Sequence, residues 1–116
     1  MVYVIQHSDK IETMLSIHCF NRNMTYKDIL ICIPRVENII TKDFVHQKIC
    51  KTNAGKIKYI IEKPLKKEKN FKRLLIKMAI NMKNQNGAYI LDRFSKGENV
   101  KIVYDNQDYW RLVSSY

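Results

Sequence analysis

Glycine, proline and long apolar runs are scarce in this chain. Three Gly and two Pro among 116 residues, with 46% apolar residues, exclude a disordered tail. No apolar run approaches the ~20 residues needed to cross a bilayer, so the sequence predicts no membrane contact. Residues 1–7 lack the basic leader and the apolar stretch of a secretory signal. We therefore expect one folded intracellular domain with a single hydrophobic core.

Residues that carry catalysis or bind metal ions are also few and poorly spaced. The cysteines form no Cys-x-x-Cys pair and the histidines lack metal-ligand spacing; these residues are Cys19, Cys32, Cys50, His7, His18 and His46. His46 and Cys50 are an i, i+4 helical pair, but no further motif completes a metal or nucleophilic site. Asp105 and Asp108 are typical of a turn, and no phosphate-binding Gly-rich loop is present. We therefore expect reduced thiols, no catalytic residue, no metal or cofactor, and no enzyme activity.

Acidic residues are in deficit, and the excess of positive charge is localised. The chain has 21 basic and 11 acidic residues, a net charge of +10. Residues 42–83 alone hold 13 basic and three acidic ones, which equals the whole excess. Charge concentrated in this way indicates one positive surface that binds a polyanion; the alternative is a solvated surface that serves solubility.

Turn formers and helix caps divide the chain into alternating strands and helices. Strands are predicted over 28–33, where Pro34 should end the ladder, over 56–62, before Pro64, and over 73–78 and 100–104. One helix is capped by Thr41 and ended by Gly55, and a second covers 84–95 before Gly97. At the N-terminus, residues 2–5 are β-prone and Ser8 could cap a further helix that includes His18.

This element order predicts an α+β fold. Strand, helix, strand, strand, helix, strand is the order of a ferredoxin-like or RNA-recognition-motif-like (RRM-like) βαββαβ domain. Right-handed crossovers then give a four-stranded antiparallel sheet with two helices on one face and the other face free. The domain is predicted to span 24–116, and residues 1–23 are an N-terminal extension packed on it or flanking it.

Several segments carry a likeness to a known family. The specific motifs are Ile-Pro-Arg-Val at 33–36 and Val-Tyr-Asp at 103–105 with a closing Tyr109-Trp110; segments 70–76 and 97–102 add generic matches. On these residues the chain, from about residue 24 onward, resembles small RRM-like proteins of large nucleocytoplasmic DNA viruses (giant viruses). The resemblance implies the fold and a viral setting, in the cytoplasm of the infected host or in the virion, more firmly than an activity.

The aromatic residues with which RNA recognition motifs stack bases are missing from the expected positions. When the third-strand motif of RNA recognition motifs is aligned with residues 71–78, its two base-stacking positions are occupied by Arg73 and Leu75. In the first strand, Ile29 occupies the position at which an aromatic residue is expected. Stacking is worth ~1–3 kcal/mol per base, so its loss predicts binding with little base specificity.

The free face of the predicted sheet is cationic instead. In the third strand, Leu74, Ile76 and Met78 should face the helices while Arg73 and Lys77 point outward. In the second strand, the inward residues are predicted to be Ile57, Tyr59 and Ile61, and the outward ones Lys56, Lys58 and Glu62. Candidate nucleic-acid-binding residues are Lys56, Lys58, Lys66, Lys67, Lys69, Arg73, Leu75, Lys77, Tyr104, Tyr109 and Trp110. The last three could instead cap the core, which is the favoured role for such a cluster.

Two functions follow from these features. The first is a viral nucleic-acid-binding protein that contacts mainly phosphates, with RNA favoured over DNA. The alternative is a protein-interaction or virion component that docks another viral protein on the sheet face and the C-terminal aromatic residues. Salt dependence separates them, because phosphate-dominated binding weakens steeply with salt.

Overall fold

Within the described residues the chain forms two helices and six strands. A computed structural model describes residues 3–4 and 25–115; the predicted helix at Ser8 lies outside these residues. The elements are β1 (Tyr3–Val4), β2 (Tyr26–Glu37), α1 (Lys42–Cys50), β3 (Gly55–Pro64), β4 (Phe71–Asn81), α2 (Gln85–Ser95), β5 (Val100–Asp105) and β6 (Asp108–Ser114).

Both helices begin where the sequence predicts them, α1 after the predicted cap Thr41 and α2 after Asn84, which also serves as a cap. The Thr41 hydroxyl accepts a hydrogen bond from the Phe44 N–H at 3.1 Å, and the Asn84 side chain accepts from the N–H groups of Asn86 and Gly87. Such bonds satisfy N–H groups that the first turn leaves without an intrahelical partner. The two predicted helices of the domain are therefore confirmed, but the predicted end at Gly55 is wrong, because α1 ends at Cys50 and Gly55 begins β3.

The strand alternation predicted for 73–78 is also confirmed. Leu74, Ile76 and Met78 of β4 are fully buried, and Arg73 is exposed. They pair with Ile33, Ile31 and Ile29 of β2, which are buried on the same face. By contrast, β2 does not end at Pro34 as predicted but continues to Glu37 through a register shift between Ile33 and Val36.

The predicted four-stranded βαββαβ arrangement is wrong, although the α+β class holds. The sheet order is β1–β5–β6–β2–β4–β3, and every neighbouring pair is antiparallel. The first half is a split βαβ unit, because β2 and β3 are parallel and flank β4. The second half is not, because β5 runs antiparallel to β4 and does not touch β2. Instead β6 takes the place beside β2 that the prediction gave to the strand after the second helix.

The residues that change the topology are the last strand and the turn before it. Asn106 and Gln107 form the turn between Asp105 and Asp108, which lie opposite each other in β5 and β6. In β6, Trp110 and Leu112 are buried and alternate with exposed side chains, a period of two that is typical of a strand with one buried face. The prediction treated this segment as an aromatic closing cluster and so omitted a strand.

One buried cluster joins the sheet to both helices. Val45 and Ile49 of α1 and Tyr89 and Ile90 of α2 belong to the same cluster as the inward residues of β2, β4, β5 and β6. Both helices therefore cover one face, here called the inner face, and no described helix covers the other, here called the outer face. Neither described helix is long and apolar enough to cross a membrane.

Gly87 makes a close backbone contact on which this packing depends. A Cβ on Gly87 would overlap the carbonyl oxygen of Asn81 and lie 2.8 Å from that of Ala54. We expect Gly87→Ala to lower the free energy of unfolding by ~1–3 kcal/mol through overpacking, measured by urea denaturation. Gly97→Asn is the control, because Gly97 has φ of 73° but no atom near its absent Cβ, and Asn tolerates that conformation. Equal losses in the two variants would contradict the predicted clash.

Candidate nucleic-acid interface

The register of β3 decides which of its side chains reach the outer face. A register shift between Ile57 and Tyr59 exchanges the two faces of the strand. As a result Tyr59 and Ile61 are 49% and 42% exposed on the outer face, opposite Lys77 and Leu75. The prediction that they are buried is wrong.

Glu62 is displaced to the inner side by the same shift. Its carboxylate accepts a hydrogen bond from Lys72, which is only 7% exposed and also donates to the carbonyl oxygens of Asn38 and Ile40. A buried ammonium needs such partners because burial without them is costly. The prediction that Glu62 points outward is therefore wrong, and Lys72 is a structural residue that ties β4 to the loop before α1.

Four cations form a row across the outer face. Lys63 of β3 lies directly opposite Arg73 of β4, and Lys101 of β5 lies directly opposite Arg111 of β6. The β2–β4 register, continued by one residue beyond the Ile33–Leu74 pair, brings Arg73 to the level of Pro34. The β2–β6 register, continued by two residues beyond the Cys32–Val113 pair, brings Arg111 to the same level on the other side of Pro34. The row, here called the basic row, thus consists of two cation pairs on either side of β2.

The electrostatics of the basic row are unfavourable in the free protein. Like charges directly opposite each other destabilise an antiparallel pair, and the basic row contains two such pairs. All four side chains are exposed, and none forms an ion pair with a described residue. Lys58 on this face is compensated, because its Nζ lies 2.7 Å from Oδ2 of Asp28. That hydrogen bond holds the pKa of the Asp28 carboxyl below its usual value.

Tyrosine rings lie on the outer face among the cations. Tyr26 and Tyr109 are 41% and 42% exposed, and Tyr59 is similarly exposed. The Nζ of Lys56 lies 5.3 Å from the ring centroid of Tyr26, and that of Lys101 lies 4.2 Å from the centroid of Tyr109. Exposed rings next to cations can stack on bases whose phosphates the cations bind. This face therefore has aromatic residues, at positions other than those of the RRM motif.

The candidate residues named from the sequence divide between this face and other places. Lys56, Lys58, Arg73, Leu75 and Lys77 lie on the outer face, with Leu75 and Lys77 half-buried. Exposed lysines of the β3–β4 loop lie beyond the Lys63–Arg73 pair; they are Lys66, Lys67 and Lys69. The loop is held to β2, since Arg35 pairs with Glu68 at 2.7 Å and Asn38 donates to the carbonyl oxygen of Lys69.

Two of the three C-terminal aromatic candidates belong to the core. Trp110 is 3% exposed, and the ring of Tyr104 stacks on it at 4.1 Å between centroids. Phe44 of α1 packs edge-on against both rings, at 5.9 and 6.1 Å. Of the three, Tyr109 alone offers an exposed ring on the outer face.

Beside the basic row, β2 and β6 diverge and leave a cleft. The two strands pair only at Ile31–Ser114 and Cys32–Val113. Beyond these pairs, Pro34 has no N–H to donate and the register shift bends β2 away. The opening is a cleft of about 460 Å³, and its lining includes Arg35, Glu37, Phe71, Asp108, Tyr109 and Arg111.

One described thiol lies near the centre of the outer face. Cys32 lies between Leu75 and Val113 and is half-buried, and burial raises the pKa of its thiol, opposed by the nearby Arg73. Cys50 lies on α1, and its Sγ is 3.5 Å from Nδ1 of His46. Burial also raises the pKa of the Cys50 thiol, which is the opposite of what a nucleophilic cysteine needs.

Sequence reasoning missed Lys63, Lys101, Arg111, Tyr26 and Tyr59. Lys63 lies beyond the predicted second strand, and Lys101 and Arg111 lie outside the charged stretch 42–83. The sequence does contain a signal that places Arg111 on a strand. Tyr109, Arg111 and Val113 alternate with Trp110 and Leu112, which is the period of two of a strand with one buried face. No local signal marks Tyr59, because a bulge placed by the pairing partner reverses its orientation.

No group of three or more His, Cys, Asp or Glu side chains is placed to hold a metal ion among the described residues. No family model matches the chain, and no curated protein or solved structure matches it significantly. The resemblance to viral proteins therefore rests on the sequence motifs alone.

Proposed function

We propose that the outer face binds single-stranded nucleic acid, mainly through its phosphates and with RNA favoured over DNA. The observation that supports this most strongly is the basic row: two like-charged cross-strand pairs with no described carboxylate partner. A chain of phosphates neutralises all four charges at once and releases counterions. The tyrosines on either side add sequence-tolerant stacking, which a single strand permits and a duplex does not.

A second candidate is a docking surface for an acidic protein. It is favoured by Ile61 and Tyr59, which are large, exposed and adjacent to Leu75 and Cys32. The centres of protein interfaces, however, are depleted of charged residues. Here the basic row adjoins this apolar strip, so nucleic acid fits the face better.

Cys32 provides a test of where a ligand binds. We expect a mixed-sequence single-stranded RNA to slow alkylation of Cys32, because an occupied outer face excludes the reagent. Cys50 lies on α1 and should react at the same rate with and without RNA. The measurement is the rate of iodoacetamide labelling, followed by mass spectrometry on a Cys19→Ser variant.

The control for this experiment is the same RNA at high salt, where bound phosphates are released and the protection of Cys32 should be lost. Protection of Cys50 but not Cys32 would place the ligand on the helical side and contradict the proposal. Complete absence of RNA binding at low salt would leave the acidic-protein candidate.

A further inference from the structure

The cleft beside the basic row differs from the rest of the outer face in its charge. Its lining combines the cations Arg35 and Arg111 with the carboxylates of Glu37 and Asp108. Neither carboxylate accepts a hydrogen bond or forms an ion pair with a described residue. A phosphate would be repelled from these two groups. Hydrogen-bond donors, such as the N–H groups of a base edge, can face them, because an ionised carboxylate only accepts.

Arg35 forms a flat stacking surface at this cleft. Its guanidinium lies 3.7 Å from the centroid of the Phe71 ring, and its Nε is held by Glu68 at 2.7 Å. The side chain is still 58% exposed. Bases stack on guanidinium planes as they do on aromatic rings, so Arg35 can support a base on its open side.

The carboxylates approach the cleft from two different strands. Glu37 ends β2, where it lies opposite Phe71, and Asp108 begins β6. Burial raises the pKa of the Tyr104 hydroxyl, and the nearby carboxylates of Asp108 and Glu37 raise it further. The acceptors and the stacking surface therefore border a single cavity of about 460 Å³, within the range of small-molecule sites.

We infer that the cleft is a base-selective subsite that prefers guanine, with the base stacked on Arg35 and its Watson–Crick edge directed at Glu37 and Asp108. Guanine presents two adjacent donors on that edge, N1–H and the 2-amino group. Adenine and cytosine present one amino group each, and uracil presents one N–H between two carbonyl oxygens that the carboxylates repel. The inference rests on the proposed function, because Arg111 and the rest of the basic row would hold the neighbouring phosphates.

The test uses ten-residue uridine tracts with one central nucleotide changed to guanosine, inosine, adenosine or cytidine, titrated by fluorescence anisotropy. We expect the guanosine tract to bind about 10-fold more tightly than the all-uridine tract, as bidentate base contacts discriminate. The inosine tract, which lacks the 2-amino donor, should lose most of this gain. The adenosine and cytidine tracts should lie between guanosine and uridine.

Carboxylate-to-amide variants test whether the two carboxylates of the cleft cause the guanosine preference. Glu37→Gln with Asp108→Asn should abolish the guanosine preference without weakening binding of the all-uridine tract. Asp105→Asn is the matched control, since Asp105 also lies near the Tyr104 hydroxyl but is not among the residues that line the cleft. Equal affinity for all tracts, or a guanosine preference that survives the double substitution, would overturn the inference and leave the proposed function intact. Failure of every tract to bind at low salt would overturn both.

Discussion

Replacing the basic row with glutamine is expected to remove most of the affinity for single-stranded RNA. Four phosphate contacts on a single strand give a salt slope of about −2.8, so raising salt from about 50 to about 200 mM should weaken wild-type binding about 50-fold. The variant Lys63→Gln, Arg73→Gln, Lys101→Gln, Arg111→Gln should lose this salt dependence. At about 50 mM salt we expect it to bind on the order of 100-fold more weakly. Anisotropy titrations at several salt concentrations measure both quantities.

A control with the same change in charge separates the basic row from net charge. Substituting four other exposed lysines with glutamine removes four positive charges as well; they are Lys27, Lys42, Lys51 and Lys83. If the phosphates contact the basic row, the control should keep nearly the full slope. If both variants lose affinity equally, the protein binds through diffuse charge and the basic row has no special part.

Stability should not fall in the basic-row variant. The substitution removes two like-charged cross-strand pairs, each of which disfavours the folded state by roughly 0.2–1 kcal/mol. A weaker interaction with RNA, together with equal or higher stability in urea, would indicate that the cations serve binding and not folding.

Ile76→Ala is expected to destabilise the sheet strongly. Ile76 is fully buried in β4, between Ile31 of β2 and Ile60 of β3. Truncation at such a site removes apolar contacts and leaves a cavity, and typically costs ~2–5 kcal/mol. Chemical denaturation measures the loss as a lower midpoint with an unchanged slope.

Leu75→Ala is the neighbouring control for this prediction. Leu75 is the next residue of β4, but its side chain lies half-buried on the outer face. A side chain that is already partly hydrated loses less on truncation. Should Leu75→Ala destabilise the protein as much as Ile76→Ala, the outer face would be covered in solution by something other than the described residues.

The features that the sequence determined by itself are those set by local periodicity and by caps. Thr41 and Asn84 begin the two helices because their side chains bond the first free N–H groups, and this requires only neighbours in sequence. The inward and outward residues of β4 follow from strict alternation of Leu74, Ile76 and Met78 with polar residues. The presence of a strongly basic surface follows from composition, since so many lysines cannot be buried.

The tertiary structure decided which cations share a surface and which strands are neighbours. The excess charge of 42–83 does not form one patch: Lys72 is buried, Lys42 and Lys51 belong to α1 and the turn after it, and Lys101 and Arg111 join from other strands. The β3 bulge and the β5–β6 hairpin caused these differences. Both depend on pairing between distant strands, and a shift of one residue in register exchanges the two faces of a strand. Local sequence specifies that side chains alternate within a strand. Only pairing with the partner strand specifies at which residue that alternation begins.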